Sequence, residues 1–319
     1  MSHQTSLRTF FQSGEGGAFS EGAVREKRQR VDRLLQLNRD MDLHRNPTTN
    51  LYCDRRQPSG VQMRPGITSL LRRHYYSHYV FPEKRRGRSG TATGSRFHRH
   101  MYHRVMCRPL QVAELKRRKK ERKRFIEEFK LTHGGKEPKR IPRCKEKLPC
   151  VCERKYGSRT HDTRLKEGSA IAKWLKQADE FMKKRELTPI ACEVVVSCRR
   201  LTTEIDMLAW KEKKKVLVNV SWKTGSTQQM DQTTRRSSSS QMSGKASHIA
   251  NTEHQHAQLQ QFVEDRILRE GHELETDEHC IVYFGSRADG SYVVKEPSGW
   301  RKRKESADAL WMDVCEKGR

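Results

Sequence analysis

No run of apolar residues in this chain approaches the ~18–20 needed to cross a bilayer, and no secretory signal opens it. A membrane span and export are therefore not expected. Hydrophobic residues are scarce: they make up 33% of the 319 residues, no more than the 33% that are charged. With that balance a good part of the chain is expected to be solvated or disordered, although its length suffices for a real core. Cys-x-x-Cys pairs are missing as well, which argues against a zinc ribbon. Nine cysteines are nonetheless present, three of them in RCKEKLPCVC (Cys144, Cys150, Cys152). An odd number without an export signal reads as mostly ordinary reduced thiols.

Negative charge is also in deficit. Against 66 Lys+Arg stand 39 Asp+Glu, leaving a formal charge of +27. Such an excess is the electrostatic footprint of a polyanion partner. Nucleic acid is favoured over a membrane surface, because nothing apolar accompanies the charge.

What is present divides unevenly. Residues 1–22 form a polar, Gly/Ser-rich tail around QTSLRTFF, and 23–65 form an extension with one helix (23–43) and a Pro/Asn-containing loop (44–65). A domain over 66–319 follows, with a basic insertion at about 111–165. Within it, GITSLLRRHYYSHYVF (66–81) suggests a helix, KRRGRSGTATG a linker, and a further helix starts near Ser95. The run KRRKKERKR suits phosphate contact, nuclear import or simply a solvated helix face, and 131–165 reads as a mobile segment. The second half is more regular: a helix at 169–187, strands at 188–198, 202–210 and 215–222, a helix near 251–270, two strands, and a last helix at 304–316. One mixed sheet flanked by helices is the economical architecture.

Alternation along VNVSWK puts Asn219, Ser221 and Lys223 on one strand face and Val218, Val220 and Trp222 on the other. Asp206 on the neighbouring strand would sit near that polar face. An Asp beside a Lys suits a site where an ion activates water and the ammonium meets a phosphate. It equally suits an ordinary cross-strand ion pair.

In its order of motifs the domain resembles the PD-(D/E)XK nucleases, in particular the RecB-like branch that includes the mitochondrial genome maintenance exonuclease. GSRFH matches that branch's Gly-x-x-x-His with Gly94 and His98, and Glu193 in IACEVVV precedes Asp206 in EIDML. SWKT carries Lys223, and QLQQF supplies Gln258 with Phe262 where the branch has Tyr. The resemblance implies a restriction-endonuclease-like core of α-β-β-β-α-β order and a DNA exonuclease using Mg2+ or Mn2+. His98, Asp206 and Glu193 would hold the ion, Lys223 and Glu193 would act in catalysis, and Gln258 would position the strand or Lys223. One departure stands out: Ser221 occupies the position of the usual acidic ligand two before the lysine. Glu193 would restore the missing charge, or the protein would bind DNA and cut it poorly. Glu204 is a backup ligand, and helical spacing turns His100 and His103 away from His98. Trp174, Trp210 and Trp300 read as packing residues. Some members of the branch hold an iron–sulfur cluster through one early and three late cysteines. Only Cys280 and Cys315 follow Lys223, so no cluster is expected.

The tail motif then acquires a partner. Gln4, Leu7, Phe10 and Phe11 resemble the PCNA-interacting peptide, in which Leu and an aromatic plug a pocket of the sliding clamp. A mitochondrial presequence is the alternative, but Arg8 is the only basic side chain of its kind before residue 25. The expectation is a nuclear DNA nuclease recruited to the clamp, with Lys116, Arg117, Arg118, Lys119, Lys120, Arg235 and Arg236 on DNA phosphates. Its rivals are a nuclease-fold factor that binds without cutting, and a basic scaffold whose motifs are coincidental.

Overall fold

The computed structural model describes residues 21–40, 43–45, 51–54, 64–76, 88–138, 150–156, 165–224, 241–284, 292–295 and 304–318. The clamp-like residues Gln4, Leu7, Phe10 and Phe11, as well as Arg235, Arg236 and Trp300, lie outside them.

The chain enters through helix α1 (Glu21–Asp40), whose Val31 and Leu34 are buried in the main core. Lys27 on this helix pairs with Asp277 at 2.7 Å, and Asp277 in turn accepts the Leu217 N–H. Part of the expected N-terminal extension is thus built into the domain. The segment read as loop instead contains three short antiparallel strands, Leu43–Arg45 (β1), Leu51–Asp54 (β2) and Arg64–Pro65 (β3). Strands of two to four residues have no room to show the alternation by which strands are recognised. Helix α2 (Ile67–His74) buries Ile67, Leu70 and Leu71.

Helix α3 (Arg88–Tyr102) begins inside the expected linker rather than near Ser95. Its continuation departs from regular geometry: His103–Cys107 form a π turn, after which α4 runs from Arg108 to Thr132. Pro109 accounts for the turn. It cannot donate to the Val105 carbonyl and its ring crowds it, so the helix widens just ahead. The charge run is therefore helical. Arg117 pairs with Glu114 and Glu121, Arg118 with Glu114, and Arg124 with Glu128, leaving Lys116, Lys119 and Lys120 exposed on the same helix. The segment read as mobile contains a five-residue helix, α5 (Cys152–Tyr156).

Helix α6 (Ala170–Lys184) starts where the Ser169 hydroxyl accepts the Ala172 N–H. Strands β4 (Leu187–Cys198), β5 (Leu201–Lys211) and β6 (Val216–Thr224) follow. Arg199 and Arg200 both adopt positive φ between the first two, as a tight hairpin turn requires. Helix α7 (Glu253–His272) leads to β7 (Glu278–Phe284), β8 (Tyr292–Lys295) and α8 (Lys304–Lys317). The five strands lie in chain order β4-β5-β6-β7-β8, antiparallel except for β6 and β7. That parallel pair demands a crossover, which α7 supplies.

The sheet is covered on both faces. Leu208, Trp210 and Leu217 pack with α1, α2, α7 and α8. Met207, Ala209, Val218, Val220 and Trp222 pack with α3 and α6. Phe97 of α3 lies fully buried against Trp222 and Phe284, with ring centroids 6.3 and 5.0 Å away. Each such aromatic contributes roughly 1.5–3 kcal/mol through burial. The protein is thus an α/β fold with a five-stranded mixed sheet between helices.

Candidate active site

The site forms where the regular ladder fails. Cys192 pairs with Met207 and Val194 with Ile205, while Glu193 and Asp206 lie between these pairs. In an unbroken strand Cys192 and Val194 would face the same side. Here Cys192 and Met207 pack under α3 and α6, but Val194 and Ile205 pack under α7. Both strands slip phase at Glu193 and Asp206, and Glu193 takes a left-handed backbone at φ 49°. A non-glycine residue held there costs on the order of 1–3 kcal/mol.

The neighbouring pair opens at the same level. The β5–β6 register ends at Met207–Val220, and beyond it the Asp206 carboxylate accepts the Trp222 N–H at 2.9 Å. Lys223, one residue on, lies 4.0 Å from the other strand's Asp206. Helix α3 closes the site from one side. A Cβ on Gly94 would come within 2.6 Å of the Thr224 hydroxyl, so only glycine permits this approach of helix to strand. One turn later His98 Nδ1 stands 3.6 Å from Asp206 and 3.7 Å from Glu193.

Four of the residues expected from sequence therefore converge: His98, Glu193, Asp206 and Lys223. Ser221 is buried in β6 between Asn219 and Lys223. Gln258 is fully buried on α7, where its amide meets His254 at 2.7 Å; His254 meets Tyr283, the residue opposite Lys223. His100 is buried, and desolvation with help from Arg96, His103 and Arg104 holds its imidazole down at about 4. It stays neutral and structural. Trp210 is a core residue and Trp174 is partly buried beside Phe97.

Two contributors were not anticipated. Glu264 on α7 is 1% exposed, accepts from Asn219 at 3.3 Å and from Gln260 at 2.9 Å, and feels both Asp206 and Lys223. Burial, reinforced by the Asp206 charge, pushes its carboxyl up to about 8. Its signal in the sequence is a polar stripe at helical spacing (His254, Gln258, Gln261, Asp265) beside Glu264, on a helix that otherwise packs on a core. The second contributor is α5. Lys155 Nζ donates to the Glu193 carbonyl at 2.7 Å, lies 3.4 Å from its carboxylate and 2.5 Å from Glu204. Tyr156 donates its hydroxyl to the Glu193 carboxylate. Burial alone would lower the Lys155 ammonium, but Glu204 and Glu193 outweigh it and hold it above its ordinary value. Burial first, then Glu193 and Glu204, pushes the Tyr156 hydroxyl upward.

Beyond the carboxylates lies a second group. His103, Cys107, Cys150 and Cys152 place one donor atom each within 4.8 Å of one another, a set able to hold a metal ion. Reading these cysteines as ordinary thiols was incomplete. The spacing that matters, His-x-x-x-Cys and Cys-x-Cys, joins two segments that only the fold brings together.

The state of Glu264 has a measurable consequence. An acid whose folded value is raised to about 8 from 4.5 favours folding fully below 4.5, and that advantage disappears as pH rises through 8. The metal-free protein is expected to lose stability, on the order of a few kcal/mol, across this window. Thermal melting of Glu264→Gln should show a shallower decline between about pH 4.5 and 8; an identical decline would contradict the assignment.

No protein-family model and no curated protein matches the chain.

Proposed function

We propose that this chain is a metal-dependent DNA nuclease with a restriction-endonuclease-like core, whose centre is the cluster of Asp206, Glu193, His98 and Lys223. The observation that carries the proposal is their convergence at the one level where β4, β5 and β6 all depart from regular pairing. The α6-β4-β5-β6-α7-β7 order is that expected of such a core.

The donor set fits a divalent ion. Asp206 and Glu193 offer hard carboxylate oxygens, and Glu264 stands behind them where Ser221 offers none. The His98 imidazole moves preference from Mg2+ toward a transition ion such as Mn2+. When bound, the ion would supply Lewis-acid activation of water and of a phosphate oxygen. The chain's own groups do the rest. Lys223, at the open end of β6 and 29% exposed, meets the charge that develops on the scissile phosphate. The Trp222 N–H fixes the Asp206 carboxylate, and Gly94 sets the height of His98 above it. Lys116, Lys119 and Lys120 on α4, with the wider excess of +27, would hold backbone phosphates without reading bases. The segment QTSLRTFF would tether the enzyme to a sliding clamp in the nucleus, and no membrane role is proposed. Among the described residues no helix is long and apolar enough to cross one.

One observation favours a second reading, a nuclease-fold protein that binds DNA without cutting. Lys155 and Tyr156 already occupy the Glu193 carboxylate, and Ser221 adds no charge. End-labelled single- and double-stranded DNA incubated with Mn2+ or Mg2+ separates the two. The nuclease reading expects released nucleotides with either strand form, stopped by chelator. Salt-sensitive binding without any product would favour the binder.

A further inference from the structure

Helix α5 has five residues, far too few to hold its shape alone, yet it places Lys155 and Tyr156 on Glu193. Something must fasten it. At its first residue, Cys152 Sγ lies 3.3 Å from Cys107 Sγ and 3.7 Å from His103 Nδ1, and Cys150 Sγ lies 3.8 Å from Cys107 Sγ. Cys107 and Cys152 are fully buried, and none of the three cysteines is in a disulfide. Sulfurs at these separations are too distant for a covalent bond of about 2.05 Å. With the His103 imidazole they keep one donor atom each within 4.8 Å of the others, close enough for all four to close on one ion. With Zn–S of about 2.3 Å and Zn–N of about 2.0 Å, a tetrahedron has edges of roughly 3.5–3.8 Å.

We propose that His103, Cys107, Cys150 and Cys152 form a structural zinc site that clamps α5 onto the π turn between α3 and α4. Both halves of the site are prepared by local structure. The π turn, closed by the Arg108 N–H on the His103 carbonyl, directs His103 and Cys107 to the same place. Such turns are rare and concentrate at functional positions. Cys150 and Cys152 sit either side of Val151, whose carbonyl accepts the Lys155 N–H and so opens the short helix. Four ligands that leave no open position describe a structural rather than a catalytic zinc. An iron–sulfur cluster is a poorer match, because it spreads its four ligands over two or more irons and so cannot bring all of them this close together, and one donor here is an imidazole.

The zinc site stands independently of the nuclease proposal. Its consequence is positional: the ion sets where Lys155 and Tyr156 meet Glu193, three and four residues after Cys152. Losing it would free α5 from the carboxylates while leaving the five-stranded sheet intact.

The test uses the full-length chain, purified under reducing conditions without added metal. Elemental analysis is expected to find zinc at one equivalent per chain. Exchange for Co2+ should give thiolate-to-cobalt charge transfer and the intense visible bands of a tetrahedral site. Cys107→Ser, and Cys150→Ser at a less buried position, should each lose the ion or weaken it at least about a hundredfold. Cys198→Ser, outside the cluster, should keep it. Hydrogen exchange should rise in α5 on chelation, with β5 and β6 still protected. A folded chain without zinc and without a cobalt–thiolate signal would overturn the proposal. So would iron accompanied by acid-labile sulfide, or full zinc retention in both cysteine variants.

Discussion

Asp206→Asn is expected to lower metal-dependent DNA cleavage by on the order of a thousandfold while leaving the fold in place. The amide oxygen of Asn can still accept the Trp222 N–H that Asp206 accepts at 2.9 Å, so the β5–β6 opening keeps its brace. What disappears is the negative charge that faces His98 and Lys223 at 3.6 and 4.0 Å. Lys223→Met should cost a comparable factor in rate but leave ion binding nearly intact, because an ammonium is no ligand. The two variants thus separate holding the ion from stabilising the phosphate. Single-turnover cleavage and Mn2+ titration on both would show it. Unchanged cleavage in Asp206→Asn would remove the centre from the place assigned to it.

The second large effect concerns which carboxylate replaces the one missing at Ser221. Glu264 reaches the same polar strand face from α7, through Asn219, and is the buried acid that senses both Asp206 and Lys223. Glu264→Gln is expected to reduce cleavage roughly a hundredfold or more by weakening ion binding. Ser221→Asp in the Glu264→Gln background should recover much of that loss, since the charge returns to the motif position. In the native background Ser221→Asp should instead lower the melting temperature of the metal-free protein, because a second carboxylate is then buried near the first. If Glu264→Gln has no effect and Glu193→Gln alone is severe, the compensation comes from β4 and not from α7.

Much of the sheet was legible because its strands obey a simple period. Asn219, Ser221 and Lys223 do share a face of β6, with Asn219 on α7, while Val218, Val220 and Trp222 fill the opposite core. The approach of α3 was harder to read. Its glycines suggested a linker, yet Gly94 is where the helix must touch Thr224. The phase slip at Glu193 and Asp206 leaves no trace in composition, since it depends on two strands yielding opposite one another. In the sequence Glu264 is one charge among the polar residues of α7, and only the packing of α7 on β6 makes it buried. The His/Cys cluster was hidden for a related reason. Cys107 and Cys152 are 45 residues apart, and their meeting is a property of the fold.

Anomalous scattering from a crystal of the metal-free protein soaked in Mn2+ tests the central claim most directly. The account expects a peak within coordination distance of the Asp206 carboxylate, shared with Glu193 or His98 and absent in Asp206→Asn. Strong Mn2+ density elsewhere, with nothing at Asp206, would contradict it.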